Sequence, residues 1–170
     1  MSLLGMIADR KRLGLILNEV NNPAGPMKIL DLGCGNGWFV KKLNSMGIGT
    51  IGIDINLEGE TENLIRTSAY DLPFPENYFD CVLAIEIIEH LEPRVYKEIG
   101  RVLKPGGKLI VTSPIPKWNW LVEILCNSGL ADPLVTPHMN CIKSEDLPFK
   151  LLKKRSFLLI EWFGVFENEK

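Results

Sequence analysis

Residues 29–37, Ile29-Leu30-Asp31-Leu32-Gly33-Cys34-Gly35-Asn36-Gly37, decide how this chain is read. An apolar run that reads as a strand enters a turn with glycine at every second position, and a helix-like segment follows. Glycine lets the backbone take positive φ and lets a ligand approach where a Cβ would clash. A ligand held in this way sits beyond the carboxyl end of the first strand of an open α/β sheet, beside a helix N-terminus. The spacing disfavours the dinucleotide fingerprint G-x-G-x-x-G. The third glycine arrives one residue early, and Trp38 stands at the expected site.

Working outward, residues 27–32 read as strand 1 and 37–46 as the helix after it, capped by Gly47. A second strand over 49–53 ends at Asp54, and a third spans 63–68. The continuous apolar run 79–85 is the kind of strand buried on both faces. Residues 86–103 read as helix, broken or bent near Pro93, and Lys104-Pro105-Gly106-Gly107 turns tightly into a strand over 108–112. A helix over 145–154 and a strand over 157–166 close the chain. Ahead of all this, Leu3, Leu4, Ile7, Leu13, Ile16, Leu17 and Val20 recur at helical spacing until Asn21-Asn22-Pro23. They predict an amphipathic first helix that packs on the sheet or covers a bound cofactor.

Strands alternating with helices imply an α/β fold with a doubly wound, mostly parallel, Rossmann-like sheet. No repeat or linker divides the chain, so residues 1–170 read as one domain. Residues 113–144 differ in character, with Pro114, Pro116, Pro133, Pro137, Trp118 and Trp120. So long a connection in a small domain reads as a lid or binding loop. The two tryptophans line an acceptor pocket or pin that lid to the core.

Composition narrows the function. A net charge of −2 gives no broad basic field and disfavours nonspecific nucleic-acid binding, though it leaves room for a local basic patch. The four cysteines (34, 81, 126 and 141) form no C-x-x-C pair and join no histidine cluster. Neither a metal site nor a disulfide framework is expected, and reduced thiols suit a cytoplasmic protein. No apolar run reaches the length of a membrane span, and no signal-type segment surrounds Arg10-Lys11-Arg12.

Asp54 ends strand 2, 17 positions after Gly37, where a carboxylate can accept hydrogen bonds from both ribose hydroxyls of an adenosine-containing cofactor. Its plainer reading is a surface Asp that starts a turn. Three further runs follow: Asp71-Leu72-Pro73-Phe74-Pro75 ahead of Tyr78-Phe79-Asp80, then Glu86-Ile87-Ile88-Glu89-His90-Leu91, then Arg101-Val102-Leu103-Lys104-Pro105-Gly106-Gly107. Singly each has a plain structural reading: a proline turn, the start of a helix, a glycine turn. His90 reads as structural rather than as a base.

Taken in order, D-x-G-x-G-x-G, D-L-P-F-P-x-x-x-F-D, E-x-x-E-H-L and R-x-L-K-P-G-G resemble the class I S-adenosylmethionine (SAM)-dependent methyltransferases over about residues 27–166. The likeness is nearest to the small-molecule branch that includes the ubiquinone and menaquinone biosynthesis enzymes. It implies SAM as cofactor and methyl transfer as the reaction. It further implies that Asp31 stabilises the loop and that backbone groups around Gly33, Cys34, Gly35 and Gly37 hold the methionine portion. Asp54, with Ile55 beside it, would take the ribose, Asp71 the adenine amine and Leu72 the ring face, with Ala84 to Glu86 near the sulfonium.

A general base is needed only where the acceptor is protonated. His138, in Thr136-Pro137-His138-Met139-Asn140 just before Ser144 to Leu147, is the first candidate and Glu86 the second. The plainer reading of His138, and the favoured one, is a residue bonding loop backbone. No N-P-P-Y run follows strand 4, and no cysteine lies in a Pro-Cys context. A small-molecule acceptor is therefore favoured, with protein or RNA open. An NAD-dependent oxidoreductase is disfavoured by the glycine spacing.

Two departures from the family stand out. Only about eight residues separate Asp54 from strand 3, fewer than a parallel crossover with a helix needs. The chain also ends soon after Phe166, where the family has one more antiparallel strand. These predict a crossover reduced to a turn and a sheet abbreviated at its C-terminal edge, open to a partner chain or a homodimer. They motivate an alternative reading, a SAM-binding subunit that is non-catalytic or dependent on a partner.

Overall fold

Ile29, Leu30, Asp31 and Leu32 are all buried, because the strand they form lies in the middle of the sheet with a parallel neighbour on each side. The computed structural model describes residues 3–20, 25, 27–115, 120, 124, 128, 142–157 and 161–170. In chain order the elements are α1 (Leu3–Val20), β1 (Ile29–Leu32), α2 (Trp38–Ser45), β2 (Thr50–Asp54), β3 (Leu64–Arg66), β4 (Phe79–Ile85), α3 (Val95–Val102), β5 (Leu103–Pro114), β6 (Lys150–Phe157) and β7 (Glu161–Glu167). Short 3-10 turns span Ile88–His90 and Ser144–Asp146. The seven strands form one sheet in the order β3-β2-β1-β4-β5-β7-β6. Pairing is parallel from β3 to β5 and antiparallel from β5 through β7 to β6.

Successive residues of β4 serve two cores. Cys81, Leu83 and Ile85 join Leu13, Ile16, Val20 and Leu43 on the face covered by α1 and α2. Val82 and Ala84 join Val95, Ile99, Val102, Leu147 and Phe166 on the face covered by α3. The first helix thus packs on the sheet, through residues 13, 16 and 20. Among the described residues, no helix is long and apolar enough to cross a membrane.

The crossover after Asp54 is indeed a turn, in which Leu57 takes a helix's place by packing on Cys34, Val40 and Leu64. The third strand is shorter than expected, three residues instead of six. The expected break at Pro93 separates the 3-10 turn from α3.

The C-terminal edge needs correction. The helix expected over 145–154 is a 3-10 turn followed by strand β6, and the strand expected over 157–166 is β7, so the sheet is not abbreviated. Pro148 explains the change: it pushes the preceding residue out of the helical region, and Leu147 has φ −83° and ψ 132°. The chain then leaves the turn already extended and pairs with β7.

Two of the recognised runs turn out to be joined to each other. Arg101 donates to the carbonyls of Leu72 (2.9 Å) and Phe74 (2.7 Å), while Leu72 N–H donates to Glu98 (3.0 Å). Glu98 and Arg101 are themselves paired at 2.8 Å. The D-L-P-F segment is thereby fastened to α3.

Ile16 is fully buried between α1 and the sheet. Ile16→Ala is expected to cost about 2–5 kcal/mol in urea unfolding, the range for deleting a packed aliphatic side chain. A cost under about 1 kcal/mol would mean that α1 is not part of the folded core.

Candidate functional site

The glycine turn is tied to the end of the next strand. Gly33 and Cys34 N–H both donate to the Ile53 carbonyl, at 2.8 and 2.9 Å. Gly35 N–H donates to one oxygen of Asp54 (2.9 Å), whose other oxygen accepts from Asn56 N–H (2.8 Å). Asp54 is therefore held in one orientation at the lip of the sheet.

Glycine is required at Gly33: its φ is +72°, and a Cβ would stand 2.5 Å from the Ile87 side chain. Gly35, at φ +54°, has nothing within 4 Å of where a Cβ would be, so its backbone is open to a ligand.

Between this turn and the loop after β3 lies a cavity of about 230 Å³, walled by Gly33, Ile53 to Asn56, Thr67 to Tyr70, Ile87, His90 and Leu91. Ile55 is 65% exposed there and gives the cavity an apolar wall. A larger cavity of about 450 Å³ opens at the opposite end of the strands, where Lys104, Lys108 and Lys153 are paired with Asp80 and Glu19. It has neither the glycine turn nor an exposed apolar wall.

Below the turn, Asp31 is 1% exposed and its Oδ2 has no hydrogen-bond partner among the described residues. Burial, and next the charge of Asp54, push its carboxyl up to about 7. The Cys34 thiol is pushed up to about 12 by burial and by Asp31 and Asp54, so it stays protonated and is no nucleophile.

The expected site residues separate into two sets. Gly33, Asp54 and Ile55 line the cavity, and Asp31, Cys34 and Gly35 adjoin it through the turn. Gly37 is buried at the start of α2. Asp71 is exposed, Leu72 is in the core, and neither is among the cavity's walls. Asp71 N–H donates to the Ser68 carbonyl (3.2 Å), and this tight turn puts Ser68, Ala69 and Tyr70 at the cavity instead. Ala84 is fully buried inside β4.

His138 lies outside the described residues, as does Trp118, while Trp120 is described and exposed. Sequence reasoning did not single out Thr67 to Tyr70, Ile87 and Leu91 as cavity walls, and it took His90 as structural. Their only signal was adjacency to the proline turn and to the E-x-x-E-H-L run.

A second cluster sits at the same end of the sheet, on the α1 side. Glu86 follows β4 with φ +53°, a left-handed turn that sends its side chain toward Arg12 of α1. Burial raises the carboxyls of Glu86 and Glu89, with Arg12 opposing in both. Glu161, at the start of β7, is pushed up to about 7 by burial and by Glu86. Among the described residues, no group of His, Cys, Asp and Glu is arranged to hold a metal ion.

Comparison with known proteins fits this geometry. Residues 30–111 match the family model described as a methyltransferase domain. A SAM-dependent methyltransferase from Aquifex aeolicus superposes with a TM-score of 0.62 at 17% identity, covering 91% of this chain and 88% of that one. The fold is that of the class I SAM-dependent methyltransferases.

Among relatives by sequence, a sterol 24-C-methyltransferase of Gibberella zeae is 38% identical over 98 residues, 48% of this chain and 26% of that protein. A ubiquinone biosynthesis O-methyltransferase of Bradyrhizobium diazoefficiens is 30% identical over 111 residues, 58% of this chain and 44% of that protein. The chain thus spans less than half the length of these relatives.

SAM is the cofactor that likeness to methyltransferases implies. The Asp31 oxygen without a partner among the described residues and the open space over Gly35 fit it: one is a buried acceptor left unsatisfied, the other lets a ligand come close to the backbone.

Four carboxyls, the buried Asp31, Glu89 and Glu161 and the half-buried Glu86, have proton affinities raised by removal from water. The folded chain therefore binds protons that the unfolded chain releases, and stability is lost as pH rises from about 4 to about 7. Asp31→Asn is expected to flatten part of that fall, measured by urea unfolding at several pH values. A variant curve parallel to wild type would contradict the burial of an ionisable Asp31.

Proposed function

We propose that this chain transfers the methyl group of SAM to a small organic acceptor. One observation carries the reading: the glycine turn, the fixed Asp54 and the exposed Ile55 wall one cavity at the carboxyl ends of β1 and β2. The nucleoside would lie there, its ribose hydroxyls donating to the Asp54 lone pairs that face away from Gly35 and Asn56. Ser68 and Tyr70 would flank the adenine in place of Asp71 and Leu72. Tyr70 is preset for this: its hydroxyl accepts from Glu92 N–H (2.8 Å), and Arg94 stacks on its ring at 4.2 Å. The amino-acid end would reach the turn above Asp31, whose lone oxygen suits an ammonium group.

Bound SAM supplies an already activated methyl group, so the chain's own task is mostly alignment, worth roughly 7–11 kcal/mol when geometry is right. Where the acceptor carries a proton, a carboxylate or imidazole at the rim adds about 10²–10⁴-fold. Glu86 fits that role, with its raised proton affinity and its Oε1 unpartnered among the described residues. His138, in the 113–144 segment read as a lid, remains a proposed base on its sequence position. That sterol and quinone methyltransferases are among the relatives supports a small organic acceptor. The partner-dependent alternative keeps only the shortness of the chain in its favour, because the strand expected to be missing is present.

Calorimetric titration with SAM, S-adenosylhomocysteine and NAD tests the reading. The first two are expected to bind and NAD to fail. Asp54→Ala is expected to weaken SAM about 10–100-fold, the loss of hydrogen bonds to a charged group. A folded wild-type chain that binds no SAM would overturn the proposal.

The same titration separates the two adenine assignments. Tyr70→Ala is expected to weaken S-adenosylhomocysteine by about tenfold or more, the scale of one base–aromatic stack. Asp71→Ala should leave it within about threefold. The reverse pattern would restore Asp71.

A further inference from the structure

The first helix reaches the transfer site through one side chain. Arg12 is largely buried, and its Nε and Nη2 both donate to Glu161 (3.1 and 2.7 Å), a residue 149 positions away. Nη1 donates to Asp9 (2.9 Å), and Nη2 also stands 3.6 Å from Glu86 Oε2. One guanidinium thus joins α1, the turn after β4 and the start of β7, at the carboxyl end of the sheet.

Anchoring the helix does not require this. Leu13, Ile16 and Val20 already bury its face, and Lys108 and Lys153 hold Glu19 near its other end. The fork to Glu161 fixes the plane of the guanidinium, which fixes the direction from which its charge meets Glu86. Resting on the proposed role of Glu86, we propose that Arg12 is a positioning residue for methyl transfer: held by Glu161, it orients the Glu86 carboxylate and makes α1 part of the transfer site.

The groups facing Glu86 are Asp9 and Arg12 from α1, Glu89 from the 3-10 turn, Thr112 from β5 and Glu161 from β7. Arg12 is the cation among them, and its neighbouring carboxylates hold it protonated even though burial works against its charge. Removing it should make Glu86 hold its proton more tightly. Neutralising Glu161 removes a like charge and frees the guanidinium for Glu86, and should have the opposite effect. An Arg12 that did not act on Glu86 would produce neither.

The test follows the carbon-13 carboxyl resonance of Glu86 against pH in the full chain, assigned by its absence in Glu86→Gln. Arg12→Met is expected to raise its titration midpoint by at least one pH unit, a tenfold change in proton affinity. Arg12→Lys should remain near wild type and Glu161→Gln should move the midpoint down. SAM affinity by calorimetry should stay within about threefold in Arg12→Lys. An unchanged midpoint in Arg12→Met, or Arg12→Lys behaving like Arg12→Met, overturns the proposal. Should Arg12→Met fail to fold, the Glu161→Gln midpoint decides, and one that stays put or rises overturns it. Failure of wild type to bind SAM would instead overturn the proposed function, while the titration still reports on Arg12.

Discussion

The two hydrogen bonds from Gly33 and Cys34 to the Ile53 carbonyl are the constraint on which the rest of this molecule depends. Each is worth only about 1 kcal/mol net. Together with the bond from Gly35 to Asp54, however, they decide where the chain goes after β1. The turn must bend over the end of β2, and it does so only because Gly33 carries no Cβ to strike Ile87. From that bend follow the start of α2, the orientation of Asp54 and the open backbone at Gly35. The cavity is the space left between this turn and the short loop after β3.

Charge at the same edge of the sheet works against stability. Asp31 and Glu161 are buried carboxyls raised to about 7, and Glu86 and Glu89 are raised by the same burial. Arg12 stands among the last three. Burying so many ionisable groups around one arginine costs more than a hydrophobic filling of the same volume would. Such an arrangement, at the carboxyl end of a parallel sheet, stands where ligands bind in open α/β folds. The apolar packing below it, from Leu83 and Ile110 to Phe166, carries the burden of folding.

Much of this was legible in the sequence because it depends on local chemistry. The glycine turn, β1, β2, β4 and the break at Pro93 each follow from a few adjacent residues. The C-terminal hairpin was not legible in the same way. Residues 145–154 have helical composition, and only Pro148 together with pairing to a distant strand turns 150–157 into β6. The wall of the cavity was hidden for a subtler reason. Asp71-Leu72-Pro73-Phe74 was read as a ligand motif, but Arg101 and Glu98 hold that segment against α3, and the turn from Ser68 to Asp71 moves the cavity wall upstream. The Arg12–Glu161 pair joins opposite ends of the chain, and no local pattern announces it.

The central claim is that one cavity, between the glycine turn and residues 67–70, receives the nucleoside. A crystal structure with S-adenosylhomocysteine tests it most directly. Ribose hydroxyls are expected on Asp54 and the adenine between Ile55 and Tyr70, with Leu72 still in the core. A nucleoside bound elsewhere, or an adenine amine on Asp71, would contradict it.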